Sequence, residues 1–260
     1  MEDSHGQRGP CDYDRNFLLS PAKRNQIVEL WEVEKFGRDS FGDPDAVALY
    51  GMRPAEWYAK GVRILARTTL EAVRDPLGNR IGSDVARVAA MTPQGTLFGV
   101  VDLLRRVVQR PLFDPAKPPK RRGNRIRVRA GDLRDEHAQH CLARRTHRLF
   151  NGDYRQLLGV HRFPAGRRIV AFLAPPWADA LSSERGLDLG STKPPIAEIV
   201  ADIERAYPDT PILYVVEVHE RLVPAPFAAL RAGFEWSELI IYDLPGPTGR
   251  HGVLLGTRRW

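Results

Sequence analysis

The chain has 260 residues, 43% apolar and 27% charged, which is globular composition and excludes a wholly disordered protein. No apolar run approaches the length that crosses a bilayer, and the opening Met-Glu-Asp-Ser-His lacks the apolar stretch of a secretory signal. Two cysteines, Cys11 and Cys141, make no disulfide framework, so a soluble, cytoplasmic chain in a reducing compartment is expected, with no membrane partner.

The N-terminal ninety residues carry helical signals. Ser20-Pro21 offers a cap and a first-turn proline before Ile27, Leu30 and Trp31, with Gly37 as a stop. Asp43-Pro44 opens a short helix that Gly51 closes. Trp57, Ile64, Leu65 and Leu70 recur at near-helical spacing over 54–74. Asp75-Pro76-Leu77-Gly78 reads as a turn, placed to serve as part of a lid over a cofactor, and 79–90 as a further helix with Ile81, Val85 and Val88 on one side.

From Thr96 the pattern changes to strands. Thr96 to Val101 is a compact apolar run ending at Asp102, and Arg168 to Leu173 is a second, ending at Ala174-Pro175-Pro176-Trp177. Ile196, Ile199, Val200 and Ile203 define a helix face. Residues 211–218 form a third strand, apolar on both faces through Val216, as in the interior of a parallel sheet. A short helix over 226–231 and two closing strands, 239–242 and 253–256, joined through Pro245-Gly246-Pro247, complete the chain. The expected architecture is α/β: a helical N-terminal extension at 1–92, then one α/β domain at 93–260. Ligand sites belong at the carboxyl ends of its strands.

The net charge of +7 is concentrated: 14 Lys/Arg face only 4 Asp/Glu over 104–148, and acidic residues outnumber basic ones elsewhere. Pro111, Pro115, Pro118 and Pro119 interrupt that segment and its apolar periodicity is poor, so a solvated, poorly ordered insertion is expected, with an RNA-binding arm as the functional alternative. His137, His140, Cys141 and His147 match no common closed zinc site, and no metal is expected. Glu217, His219 and Glu220, just past the third strand, are in place to line a cleft but read as exposed loop residues.

The chemistry-bearing motif is Ala174-Pro175-Pro176-Trp177. Two prolines hold the chain extended and leave the preceding carbonyls free to accept from an amino group. Trp177 offers a face for stacking a base, worth roughly 1–3 kcal/mol. Acceptor and aromatic plate together hold an NH2 group in line with an electrophilic carbon. The segment resembles the [Asp/Asn/Ser]-Pro-Pro-[Tyr/Phe/Trp] motif of amino-directed class I S-adenosylmethionine-dependent methyltransferases, and is most similar to the RNA cap guanine-N2 (trimethylguanosine synthase-like) group, with Ser-Pro-Pro-Trp. Residues 151–260, from Asn151-Gly152-Asp153-Tyr154 onwards, are similar to the second half of such a domain.

The resemblance implies a Rossmann-like class I methyltransferase sheet with helices on both faces and S-adenosyl-L-methionine as cofactor. It implies an amine, on RNA guanine, as acceptor. Ala174, Pro175, Pro176 and Trp177 would orient that amine, and Asp102 and Asp153 would contact the cofactor. Two departures stand out. Ala174 replaces a polar residue, leaving the accepting role to backbone carbonyls. After Asp102 a glycine-rich loop is expected, yet the chain continues Leu103-Leu104-Arg105-Arg106-Val107-Val108-Gln109-Arg110, without glycine before Gly123. Codons exist for 103–110 in which loss of one nucleotide yields Leu-Phe-Ala-Gly-Ser-Cys-Asn-Ala, nearly the missing loop. A frameshift-damaged gene product is therefore an alternative to a divergent insertion. A non-catalytic protein of this fold that binds nucleic acid through 104–148 is another.

Overall fold

The computed structural model describes residues 17–18, 20–49, 51–91, 98–102, 153–160, 168–174, 177–244 and 249–260. The basic segment 104–148 with His137, His140, Cys141 and His147, then Pro175, Pro176 and the Pro245-Gly246-Pro247 connection, lie outside those residues.

Helix α1 spans Leu30–Phe41, α2 Pro54–Ala59, α3 Ala66–Glu71 and α4 Asp75–Ala90. Strand β1 is Phe98–Asp102. Then follow α5 (Tyr154–Val160), β2 (Arg168–Leu173), the short pair β3 (Leu181–Ser182) and β4 (Gly186–Leu187), and α6 (Ile196–Ala206). The chain closes with β5 (Ile212–His219), α7 (Pro224–Ala232), β6 (Trp236–Ile241) and β7 (His251–Arg258). Five strands form one mixed sheet in the order β1-β2-β5-β7-β6. The first three run parallel. β7 is antiparallel to β5 and to β6, so the closing pair is inverted into the sheet, with the last strand inside and β6 at the edge.

Alternation along β5 explains the layering. Ile212, Tyr214, Val216 and Val218 join Ile169, Ala171 and Leu173 of β2 against Ile196, Ile199, Val200 and Ile203 of α6, and against Leu230 of α7. Leu213 and Val215 point the other way, with Val170, Val253 and Leu255, onto Leu77, Ile81 and Val88 of α4. All eight residues of β5 are buried, as a strand covered on both faces requires. The α/β class and the strand-and-helix alternation from β1 onwards agree with the sequence reading.

The N-terminal helices differ from expectation in four places. Ser20-Pro21 opens turns rather than a helix, and α1 begins at Leu30 with Glu29 as its cap. α1 runs through Gly37 and ends at Gly42, in the left-handed conformation with φ 74°. Glycine is required at 37 because that point of the helix meets backbone: a Cβ there would lie 2.7 Å from the Asp43 carbonyl oxygen and 2.9 Å from that of Pro44. Residues 43–49 form turns and bends, with a Leu49–Met52 bridge, in place of a helix. The stretch 54–74 breaks at Gly61, φ 81°, into α2 and α3.

Asp75-Pro76-Leu77-Gly78 is the first turn of α4 rather than a loop or lid, with proline where the helix needs no N–H. Leu77 is buried on the sheet. α4, grouped by sequence with the extension, is thus one of the sheet's covering helices. The earlier helices enclose a separate core of Val28, Val33, Phe36, Val47, Trp57 and Ile64. Its link to α4 is polar: Asp75 N–H donates to the Ala48 carbonyl at 3.0 Å, and Asp75 Oδ2 accepts from Gly51 N–H at 2.7 Å.

Gly256 of β7 lies under Phe234, whose ring meets Tyr214 at a centroid distance of 5.5 Å. A Cβ at 256 would fall within 2.4–2.6 Å of three ring atoms of Phe234. Gly256→Ala is expected to destabilise the fold by about 1–3 kcal/mol through overpacking, measured by denaturant unfolding. Pairing it with Phe234→Leu should recover part of the loss.

Candidate functional site

Three parallel strands bring their carboxyl ends to one edge. In the register, Asp102 ends β1 opposite Phe172, and Leu173, the last residue of β2, lies opposite Val216. β5 extends three residues further, to His219. β7 is antiparallel and starts at this same edge, with His251 directly opposite His219 and Val253 opposite Glu217. The buried residue Ala174 follows β2, and Trp177 follows the two prolines.

Trp177 is partly buried and meets both imidazoles. Its ring lies 4.7 Å from His251 at an interplanar angle of 37°, and 5.9 Å from His219 in an edge-on contact. His251 Nδ1 is 3.1 Å from Glu217 Oε1, which is buried in β5. A carboxylate oxygen accepts, so in the neutral ring this contact puts the proton of His251 on Nδ1 and the lone pair on Nε2. His219 has the opposite arrangement. Arg221 N–H donates to its Nδ1 at 3.0 Å, so the neutral ring carries its proton on Nε2. Gly249, φ 115°, closes over that nitrogen: a Cβ at 249 would come within 2.6 Å of His219 Nε2.

Glu217 and His219 correct the sequence reading, which made them exposed loop residues. Both belong to β5, and they are 6% and 0% exposed. Their polarity suggested a loop, but flanking strands cover the end of β5. Glu220 does face solvent more, and pairs with Arg250 through Nε–Oε2 at 2.7 Å; the guanidinium holds its carboxyl below the usual range. His251 was not singled out by sequence. Its only local signal is a histidine opening an apolar strand, and its importance comes from a partner 34 positions earlier.

The cofactor-side residues are less assembled. Asp102 has the expected place at the carboxyl end of β1. Asp153 is exposed, and its carboxylate caps α5 by accepting from Arg155 N–H at 2.8 Å. α5 is clamped to α6 at Asp202, which accepts from Tyr154 Oη at 2.8 Å and Arg155 Nε at 2.7 Å. It also accepts from Arg205 Nη1 at 2.7 Å. The Arg155 hydrogen bond, helped by Tyr154 and Arg205, draws the Asp202 carboxyl down to about 2. Burial, then the bond to Asp202, pushes the Tyr154 phenol up to about 12. The described residues therefore compose a cluster of one indole and two imidazoles at the carboxyl edge of the sheet, while Asp102 ends β1 and Asp153 caps α5. Among the described residues, no complete cradle for S-adenosylmethionine is formed.

Among the described residues no group of three or more His, Cys, Asp or Glu is arranged to hold a metal, and no helix is long and apolar enough to cross a membrane. Comparison with protein-family models, with curated proteins and with solved structures finds no match.

The Asp202 clamp makes a pH prediction. Its folded-state pKa is depressed, so the stabilisation is fully present above the ordinary aspartate value of about 3.9 and is lost as pH falls towards 2. In urea titrations the native chain should exceed Asp202→Asn in stability at pH 5–7, and the gap should close as pH falls from about 4 to about 2.

Proposed function

We propose that this chain is built on the plan of an S-adenosylmethionine-dependent methyltransferase acting on an amino group, with guanine in RNA as acceptor, and that its cofactor half is altered at residues 103–110. The observation that carries the reading is the place of Trp177, directly after the Ala174-Pro175-Pro176 motif, in a ring cluster at the carboxyl edge of parallel strands. The inverted closing pair β6 and β7 also accords with the closing strand pair that the resemblance implies.

In this reading Trp177 and the prolines hold a planar base, and Glu217 and the two histidines hold Trp177. Their contribution is orientation of the acceptor nitrogen. The cofactor supplies an electrophilic methyl group when bound. The Lys/Arg-rich segment 104–148 supplies charge for RNA phosphates. A protein that binds RNA without methylating it is the second reading, favoured by the absence of glycine between Asp102 and Gly123. There, Arg105 and Arg106 stand where the resemblance calls for small residues.

Calorimetry with S-adenosylmethionine tests the proposal. The unaltered chain should bind it weakly or not at all. Replacing 103–110 by Leu-Phe-Ala-Gly-Ser-Cys-Asn-Ala should restore micromolar binding and labelled methyl transfer to guanine-containing RNA. Trp177→Ala in the restored chain should lower binding of that RNA tenfold or more, on the order of one lost stacking contact. Micromolar cofactor binding by the unaltered chain would show the loop intact in function; no binding by the restored chain would sink the methyltransferase reading.

A further inference from the structure

We propose that His251, oriented by Glu217, is the hydrogen-bond acceptor that selects an N–H-bearing edge of a flat ligand brought to Trp177. Only the choice of a nucleobase as ligand rests on the function proposed above. The assignment of His251 rests on the chain's own geometry.

Four observations converge on this imidazole. Glu217 Oε1 stands 3.1 Å from Nδ1, which commits that nitrogen to donation and, in the neutral ring, leaves Nε2 as an acceptor. No hydrogen bond reaches His251 Nε2 from the described residues. The exposure is graded in the sense the role demands: the His251 side chain is 22% exposed and the Glu217 side chain 7%, so the carboxylate is the inner member and the imidazole the outer one. Finally, the ring cannot turn freely. Trp177 lies against one face at 4.7 Å, and His219 is its direct neighbour across the β5–β7 pair.

A buried carboxylate with a histidine as partner also has a bland role, which is to satisfy the charge. That role needs Nδ1 alone. It does not need the imidazole to stand outside the carboxylate, beside the aromatic ring of Trp177. A base stacked on Trp177 would lie beside the His251 ring, and the amide edge of guanine would offer an N–H to its lone pair. Such an acceptor favours N–H over a lone pair at the same ligand position, because two acceptors facing each other leave both unsatisfied.

The test uses the full chain and guanosine, with no S-adenosylmethionine present. Nitrogen-15 spectra of the histidines at neutral pH should show His251 protonated at Nδ1 and bare at Nε2. Saturating guanosine should shift the Nε2 resonance of His251. His251→Phe, which keeps a ring against Trp177 but has no acceptor, should weaken guanosine binding about tenfold, the size of one hydrogen bond. His251→Gln, with an acceptor oxygen, should recover most of that loss. Far-ultraviolet dichroism and the unfolding midpoint show whether each variant is folded. Protonation of His251 at Nε2 in the unliganded chain would overturn the assignment whatever the ligand. Equal guanosine binding by the native chain and His251→Phe would overturn it while leaving a base site standing. No guanosine binding by the native chain would remove the base site and the proposed role together. None of these outcomes depends on methyl transfer, so failure of the methyltransferase reading remains separate.

Discussion

β5 is bounded on every side. β2 and β7 take its two edges, α6 and α7 one face, and α4 the other, so each of its eight residues is buried. A strand so enclosed has no solvent to which a polar side chain can turn. Six of its eight residues are aliphatic or tyrosine and satisfy that condition by packing. The remaining two, Glu217 and His219, lie at its carboxyl end, and each must find a partner within the protein. Leaving a buried carboxylate without one costs about 3–5 kcal/mol.

The partners come from the segments that the sheet order brings to that edge. β7 inserts between β5 and β6, and its first residue, His251, stands opposite His219 and meets Glu217. Arg221 N–H, just beyond the end of β5, donates to His219 Nδ1. Trp177 then packs on both rings. The cluster is therefore a consequence of burying polar side chains at the end of a central strand. Its groups are held from several directions, which is the rigidity that the proposed ligand role calls for.

The rest of the chain supports this strand at increasing distance. α4 supplies the second face of the sheet and is joined to it by polar contacts as well: Tyr242 Oη donates to Asp84 Oδ2 at 3.0 Å, and Arg87 Nη2 reaches Glu238 of β6 at 2.9 Å. The first three helices keep their own core and meet the start of α4 through Ala48, Gly51 and Asp75. On the opposite face, α5 is held on α6 by the ions around Asp202. That clamp sets the position of Asp153, whose carboxylate is used in capping α5.

Sequence by itself determined the elements whose signal is local. Arg168–Leu173 was legible with its limits, and so were the α6 face and the apolar run of β5, because period and burial are written into neighbouring residues. It also marked Trp177 through the proline pair before it. Tertiary structure decided what depends on distant neighbours. The amphipathic pattern of α4 shows that one face is apolar, but only the fold puts the sheet against that face. Gly37 looks like a helix stop, yet it is a site of close backbone approach. Glu217 looks like a loop acid until β7, from the far end of the chain, lies beside it. The pairing of Glu217 with His251 has no sequence period at all. It arises because antiparallel insertion of the last strand carries residue 251 back to the end of β5, where a buried charge requires a donor.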